Sequence, residues 1–261
     1  MRRDVLDLGS FYQTPLGEVA QAAVTRQLAL AWGEAAGLDV LGVGYATPFL
    51  RPFVGHARRV VAAMPAQQGA EVWSPQEGGR RGNLACLVED TQLPFPSALF
   101  DRILIVHALE EAAEPHALLE EAARVLAPSG RIIIAAVNRR SLWSGAEATP
   151  MGHGRPYTRS QLESDVREAG LEPAAWSRAL YTPPWPVFAR YAEVIEQTAS
   201  RLQAPLSGLI LLEAEKRAFA VRPRRERARI IVPALRPSPV LPLARDRQSA
   251  LQPSNSGHSS P

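Results

Sequence analysis

The sequence predicts an α/β fold of the Rossmann-like type: a doubly wound, mostly parallel sheet of seven strands with helices on both faces. Short apolar runs alternate with helical patterns along most of the chain, and such alternation favours parallel pairing of strands. The run LFDRILIVHAL is apolar almost throughout, as expected of a strand that is covered on both faces. A second run, GLDVLGVG, leads directly into a glycine turn. With 261 residues the chain can bury a full core within one large domain.

The first half of the chain predicts one helix followed by four strands. Residues 17–33 contain no proline and repeat apolar side chains near helical spacing. The strands are predicted in the segments GLDVLGVG, ARRVVAAMP, NLACLVED and LFDRILIVHAL, of which the second is stopped by Pro65 and the third ends in two acids.

The second half predicts two further helices, three strands and an insertion. EPHALLEEAARVLAPSG is a helix that residues 128–130 end, and RIIIAAVN follows as the fifth strand. TRSQLESDVREAGL is a helix that Thr158 or Ser160 can cap and Gly170 can close. EPAAWSRAL and LILLEAEKR complete the sheet, with a helical insertion at about residues 181–206 between them.

The composition excludes several classes of protein. Hydrophobic residues make up 46% and charged residues 21% of the chain, as in a soluble globular domain. Cys86 is the only cysteine, so no disulfide within the chain and no multi-cysteine zinc site can form, which fits a cytoplasmic location. The five histidines do not fall in ligand spacing, and no metal site is predicted. The apolar runs are shorter than the ~20 residues that span a bilayer, so no membrane span is predicted.

Residues 217–261 differ in composition from the domain of residues 1–216 and are predicted to form a disordered tail that is basic and rich in proline. Ten basic residues and two acidic ones lie between Lys216 and Arg247. Such a tail could attract an anionic partner, either nucleic acid or an anionic membrane. The alternative interpretation is a solvated extension without a partner.

Residues 86–138 carry the most specific pattern in the chain. A strand, an acidic turn, Leu-Pro-Phe, Phe-Asp, a strand, a helix, Arg-Val-Leu, Pro-x-Gly and a strand follow one another in VEDTQLPFPSALFDRILIVHALEEAAEPHALLEEAARVLAPSGRIIIAAVN. In order and spacing this run resembles the class I S-adenosylmethionine-dependent methyltransferases, especially the type 11 methyltransferase domains. The resemblance covers about residues 10–216. It implies S-adenosylmethionine as the cofactor and transfer of its methyl group to an acceptor that the sequence does not identify.

The resemblance also implies a cofactor site at the carboxyl ends of the strands, where ligands bind in open parallel sheets. Gly42 can adopt a positive φ in the loop after the first strand, and Gly44 lets a cofactor approach the backbone. The helix after this loop is expected to point its amino end at the cofactor. Glu89, or Asp90 beside it, falls where the family's acid binds the adenine amino group, and His107 ends the fourth strand. The implied cofactor-binding residues are Gly42, Gly44, Ala46, Met64, Glu89, Asp90 and His107.

Three positions depart from the family's pattern. Val40 takes the place of the acid before the loop, and Asp39 lies one step away on the opposite face of the strand. The third glycine of the loop is an alanine. The second strand ends in Met64 instead of the acid that holds the ribose hydroxyls, with Gln67 and Gln68 beyond it. Loss of a charge-assisted pair costs about 1.5–3 kcal/mol, so we expect weak cofactor binding or replacement contacts.

Methyl transfer from a sulfonium needs alignment, exclusion of water and sometimes a base. The substrate-facing candidates are Tyr12, His153, Arg155 and Tyr157. The last three lie in GHGRPYT after the fifth strand, where this fold often forms an acceptor lid. Glu110 and Glu111 are interpreted as residues at the start of a helix. The alternative to an enzyme is a non-catalytic protein on the same fold that acts as a binding or regulatory module through its basic tail.

Overall fold

The computed structural model describes residues 3–74, 82–202 and 206–216, and the predicted tail of residues 217–261 lies outside them. Seven strands form one sheet: β1 Asp39–Gly44, β2 Arg59–Pro65, β3 Ala85–Val88, β4 Phe100–Val106, β5 Leu126–Val137, β6 Glu172–Ala179 and β7 Leu209–Glu215. The α-helices in the described part of the chain are α1 Val5–Tyr12, α2 Pro15–Trp32, α3 Thr47–Leu50, α4 Pro115–Val125, α5 Arg159–Glu168 and α6 Ala192–Arg201.

The strand order across the sheet is β3-β2-β1-β4-β5-β7-β6. β7 runs antiparallel to both of its neighbours, and the other pairs are parallel. The chain moves outward from β1 to β2 and β3 and then returns to β4 on the other side of β1. The switch point of the strand order therefore lies between β1 and β4, which is where open α/β sheets bind ligands at the carboxyl ends of their strands.

Apolar side chains are buried on both faces of the sheet, which confirms the predicted fold class. On one face Leu8 of α1, Leu28 of α2 and Phe49 of α3 belong to one buried cluster. On the other face Leu118 of α4 and Leu162 of α5 belong to a second cluster. Each such side chain contributes about 1.5–3 kcal/mol relative to an exposed position. No helix in the described part of the chain is both long and apolar enough to cross a membrane.

Two helices on the first face differ from the sequence-based expectation. α1 has no counterpart in the prediction; the side chain of Asp4 caps it by accepting from the N–H of Leu6 at 2.8 Å. The helix expected after the glycine loop is only the single turn α3, which a 3₁₀ turn over Arg51–Phe53 follows. Pro52 lies in this second turn and has no N–H with which to continue an α-helix. A turn this short gives little dipole at its amino end.

The boundary between α4 and β5 also differs from the prediction. α4 ends at Val125 and β5 begins at Leu126, so residues 128–130 lie within the strand instead of ending the helix. Ser129 adopts a φ of 62° and its N–H donates to the carbonyl of Lys216 at 2.9 Å. The turn residues therefore form an irregular stretch of β5, where the register with β4 shifts between the pairs of Phe100 with Leu126 and of Arg102 with Arg131.

Asp39, one step from the expected acid of the cofactor loop, is engaged at the other end of β1. Arg58 donates from Nε to Asp39 Oδ1 at 2.9 Å and from Nη2 to Oδ2 at 2.6 Å. The hydrogen bond from Arg58 lowers the pKa of the buried Asp39 carboxyl. Asp39 therefore ties the start of β1 to the segment before β2 and does not reach the loop.

Candidate functional site

The glycine loop lies at the switch point and packs directly against β4. The N–H of Tyr45 donates to the carbonyl of Val106 at 3.0 Å. The positive φ expected at Gly42 occurs at Gly44, with a value of 87°. A Cβ on Gly44 would lie only 2.1 Å from the carbonyl oxygen of Val106. Glycine is required at position 44 because the chain turns there against its own neighbouring strand.

The small residues on either side of this turn pack against each other. A Cβ on Gly42 would lie 2.5 Å from Cβ of Ala46 and 2.7 Å from Cδ1 of Leu50. Gly42 and Ala46 thus allow the loop to fold back over the end of β1. Packing within the chain explains both residues, and their role in binding a cofactor stays a prediction.

Polar side chains from three elements meet at the switch point. The hydroxyl of Tyr12, at the end of α1, shares a hydrogen bond of 2.7 Å with Nε2 of His107, which follows β4. Gln68, which follows β2, donates from Nε2 to the carbonyl of His107 at 2.9 Å. Gln68 is 2% exposed, and within the described part of the chain its Oε1 has no hydrogen-bond partner. Together with Glu110 we call Tyr12, Gln68 and His107 the switch-point cluster.

Aromatic rings cover the cluster on the side of α1. The ring of Tyr12 stacks on that of Tyr45 with centroids 5.7 Å apart, and it meets the ring of Phe49 edge to face at 5.5 Å. Because Gln68 also reaches from the end of β2 to the end of β4, it crosses the end of β1. Side chains of the protein itself therefore cover the carboxyl end of β1.

His107 is held in an uncommon conformation. Its φ of 51° lies in the left-handed region, which costs a residue other than glycine about 1–2 kcal/mol. Burial lowers the pKa of His107 to about 4, so the imidazole is neutral at pH 7. The hydrogen bonds from Tyr12 and Gln68 hold this neutral side chain and its carbonyl in place.

Glu110 is the functional candidate that the sequence interpretation missed. It does not begin a helix, because α4 starts at Pro115, and it is only 5% exposed. Oε1 accepts from the N–H of Val137 at the end of β5 at 3.0 Å, whereas Oε2 has no partner in the described part of the chain. Burial raises the pKa of Glu110 to about 7. A carboxyl with this pKa can exchange a proton near neutral pH.

The sequence offers little that distinguishes Glu110 from its neighbour. Glu111 is half-buried, and its Oε2 accepts from the N–H of Arg3 at 2.6 Å. The one available signal is that Glu110 follows a buried strand by only a few residues, and the carboxyl ends of such strands hold ligands.

The other predicted cofactor-binding residues lie along the same edge of the sheet. Met64 is fully buried, and its Sδ accepts from the N–H of Glu71 at 3.4 Å. Glu89 is exposed and forms an isolated bridge with Gln92. Asp90 is buried. Their contact with a cofactor stays a prediction.

The predicted acceptor lid contacts both the cluster and Arg3, which precedes α1. Arg155 donates from its N–H to the carbonyl of Glu110 at 2.8 Å and from Nη2 to the carbonyl of Ala112 at 2.6 Å. The imidazole of His153 contacts the guanidinium of Arg3. Tyr157 is buried beside the end of β5, and burial raises its pKa to about 12. Tyr12 and Tyr157 thus lie near Glu110, whereas His153 lies against the N-terminal segment.

A cavity of about 410 Å³ lies beside the glycine loop, between α1 and the segment that follows β2. Tyr12, Tyr45, Glu71 and Trp73 contribute to its lining, and none of the predicted cofactor-binding residues does. Glu71 accepts from the hydroxyl of Thr47 at 3.3 Å, and Nε1 of Trp73 is buried without a partner in the described part of the chain. The cavity thus offers the Glu71 carboxylate to a polar ligand, and Trp73 forms part of its wall.

Comparison with known proteins agrees with this fold. Residues 38–134 match the model of the family described as the methyltransferase domain. Together with the fold, this match confirms the predicted resemblance to the class I S-adenosylmethionine-dependent methyltransferases. No curated protein matches the chain.

Solved structures share the fold at low sequence identity. An S-adenosylmethionine-dependent methyltransferase from Thermotoga maritima, described as a possible histamine N-methyltransferase, is 17% identical with a TM-score of 0.58, over 80% of this chain and 94% of that one. An S-adenosylmethionine-dependent methyltransferase from Mesorhizobium loti is 13% identical with a TM-score of 0.52, over 73% and 96% of the two chains. The 4+2 cyclase SpnF is 21% identical with a TM-score of 0.52, over 75% and 80%. At such identities the likeness establishes the fold alone, which can host different reactions.

Proposed function

We propose that the protein is a methyltransferase that uses S-adenosylmethionine. The observation that carries this proposal is the switch-point cluster, in which Oε1 of Gln68 and Oε2 of Glu110 are buried without a partner in the described part of the chain. Buried polar atoms without a partner are rare in proteins and costly. They lie at the edge of the sheet where a domain of this class holds its cofactor and acceptor, so the polar groups of a ligand can satisfy them.

The residues present fit an adenosyl group in their polar character. Oε1 of Gln68 can accept from a ribose hydroxyl and so replace the missing acid at the end of β2. Glu71 and Trp73 line the adjacent cavity, where the Glu71 carboxylate offers an acceptor. Because Tyr12 and Gln68 bond to His107 in this structure, binding requires these side chains to move. Bound S-adenosylmethionine supplies an electrophilic methyl group.

Glu110 is the residue that can hold the proton of the acceptor. When an amine or hydroxyl acceptor forms its new bond to the methyl carbon, it must release a proton. With a pKa of about 7, Oε2 of Glu110 is partly ionised at neutral pH and can take this proton. The hydroxyl of Tyr12, which bonds to the neutral imidazole of His107, lies close enough to Glu110 that burial and the charges of Tyr45 and Glu110 together raise the pKa of this hydroxyl.

Gln68 and Gln67 provide a matched test of cofactor binding. We expect S-adenosylhomocysteine to bind the full chain in a calorimetric titration, and Gln68→Ala to weaken this binding about tenfold, since one buried hydrogen bond to the ribose is lost. Gln67 is exposed, so Gln67→Ala is expected to leave the affinity unchanged. Circular dichroism confirms that both variants fold. Absence of binding, or equal affinities of the two variants, would contradict the proposal.

A further inference from the structure

A second cavity, of about 490 Å³, lies over the ends of β5, β6 and β7. It shares no residue with the switch-point cluster. Its basic lining comes from Arg140, Arg159 and Arg178, and Trp176 and Ile210 provide apolar surface. We call it the arginine pocket.

Two of its guanidinium groups are positioned by an aromatic ring. Cζ of Arg159 lies 4.1 Å from the centroid of the Trp176 ring, and Cζ of Arg178 lies 4.6 Å from it. An indole ring is the best partner for such cation–π contacts, which hold a cation without neutralising its charge. The Trp176 ring therefore fixes the positions of both guanidinium groups at the wall of the pocket.

The described residues that line the pocket include three arginines and fewer acids. Glu163 is the one carboxylate among the described residues that line it. This carboxylate already accepts from Arg159 at 2.6 Å and from Arg167 at 3.3 Å, and the bond from Arg159 lowers its pKa. The guanidinium of Arg140 makes neither a hydrogen bond nor an ion pair with the part of the chain that the structure describes.

The first turn of α5 adds to the positive potential of the pocket. Thr158, Arg159 and Ser160 line it. The hydroxyl of Thr158 caps the helix by accepting from the N–H of Gln161 at 3.3 Å. The first amides of a helix have no acceptor within the helix and favour an anion in front of them.

We propose that the arginine pocket binds the phosphate group of a phosphorylated small molecule. Arg140 can donate to the phosphate oxygens, because the planar guanidinium fork matches the geometry of this anion. Ile210 and Leu206 face the organic part of the ligand. The volume lies within the range of about 300–1,000 Å³ that is typical of small-molecule sites. This inference does not rest on methyl transfer and would stand if that proposed function were wrong.

Phenyl phosphate is a suitable probe, because it joins a phosphate to a small apolar group. We expect saturable binding of phenyl phosphate to the full chain in a calorimetric titration and none of phenol. Arg140→Gln is expected to weaken the binding at least tenfold, because a charge-assisted hydrogen bond to the phosphate is lost. Arg59→Gln removes the same charge from an exposed position at the start of β2 and is expected to leave the affinity unchanged.

Three results would overturn the proposal. They are absence of saturable binding of phenyl phosphate, equal affinities of Arg140→Gln and Arg59→Gln, and binding of phenol as tight as that of phenyl phosphate. The phosphate could instead belong to the backbone of a nucleic acid, and a labelled single-stranded oligonucleotide tests this alternative. Suppose that the oligonucleotide binds to the full chain, that Arg140→Gln weakens this binding, and that phenyl phosphate does not bind. The pocket is then part of a nucleic-acid surface instead of a small-molecule site. Circular dichroism of each variant excludes loss of the fold as the cause.

Discussion

Gly44→Ala is expected to lower the free energy of unfolding by about 3 kcal/mol or more. A residue other than glycine at a φ of 87° is strained, which costs about 1–2 kcal/mol. In addition, the new Cβ would lie 2.1 Å from the carbonyl oxygen of Val106 and 2.8 Å from Cβ of Ala108. Relief of this overlap must push the glycine loop away from β4, and such overpacking costs about 1–3 kcal/mol. Urea denaturation at pH 7 measures the loss.

Gly55→Ala is the matched control for this substitution. Gly55 also has a positive φ, of 95°, but a Cβ there would have no atom within 4 Å. Its substitution therefore adds backbone strain without overlap, and we expect a loss of about 1–2 kcal/mol. Equal losses in the two variants would show that the contact between the loop and β4 does not require glycine at position 44.

Glu110→Gln is expected to remove a dependence of stability on pH. Because burial raises the pKa of Glu110 to about 7 in the folded chain, the fold prefers the protonated carboxyl. The stability that this preference gives is fully present below the pKa of the unfolded chain, about 4.3. It is lost as the pH rises through the pKa of the folded chain. The total loss amounts to about 3 kcal/mol.

The comparison with wild type isolates this effect. His107, whose pKa burial lowers to about 4, changes stability in the opposite direction over pH 4–6.5, but it is present in both proteins and cancels in the difference. The free energy of unfolding of Glu110→Gln, relative to that of wild type, is expected to rise by about 3 kcal/mol between pH 4 and pH 8. The exposed Glu114 supplies the control, and Glu114→Gln is expected to show no such gain. If wild type and Glu110→Gln lost stability in parallel with pH, the carboxyl of Glu110 would titrate as an exposed one does.

The sheet could be predicted from the sequence because each strand is a short apolar run between clear breaks. The strand from Phe100 to Val106 is an example, because its nearly continuous apolar sequence is typical of a strand that is covered on both faces. The boundary at Leu126 could not be predicted, because the sequence Ala-Pro-Ser-Gly indicates a turn in any local context. Here the pairing with β4 jumps from Leu126 to Arg131, so the turn residues form an irregular stretch inside the strand instead of separating it from the helix.

The site was harder to predict than the fold. Tyr12 was found as a candidate, although the helix that carries it was not, because α1 is short and gains its stability from tertiary packing. Gln68 was noted only as a residue beyond β2, since its burial depends on contacts with the end of β4. Glu110 was misinterpreted because the sequence alone does not distinguish an exposed carboxylate at the amino end of a helix from a carboxyl that is buried in the protein.

The small residues of the glycine loop illustrate a related limit. The sequence suggests that Gly44 is small so that a cofactor can approach. In the structure the same property lets the loop pack on Val106, and Gly42 is small because Ala46 and Leu50 lie against it. A glycine pattern that fits cofactor binding is therefore also explained by packing, and polar atoms without partners are the better guide to a ligand.

A crystal structure of the protein grown with saturating S-adenosylhomocysteine tests the central claim most directly. The account predicts the adenosyl group at the carboxyl ends of β1 and β2, with Oε1 of Gln68 within hydrogen-bond distance of a ribose hydroxyl. It also predicts that the hydrogen bond between Tyr12 and His107 is broken and that Oε2 of Glu110 faces the sulfur side of the ligand. Density for the ligand elsewhere on the chain, or an unchanged switch-point cluster without ligand, would contradict it.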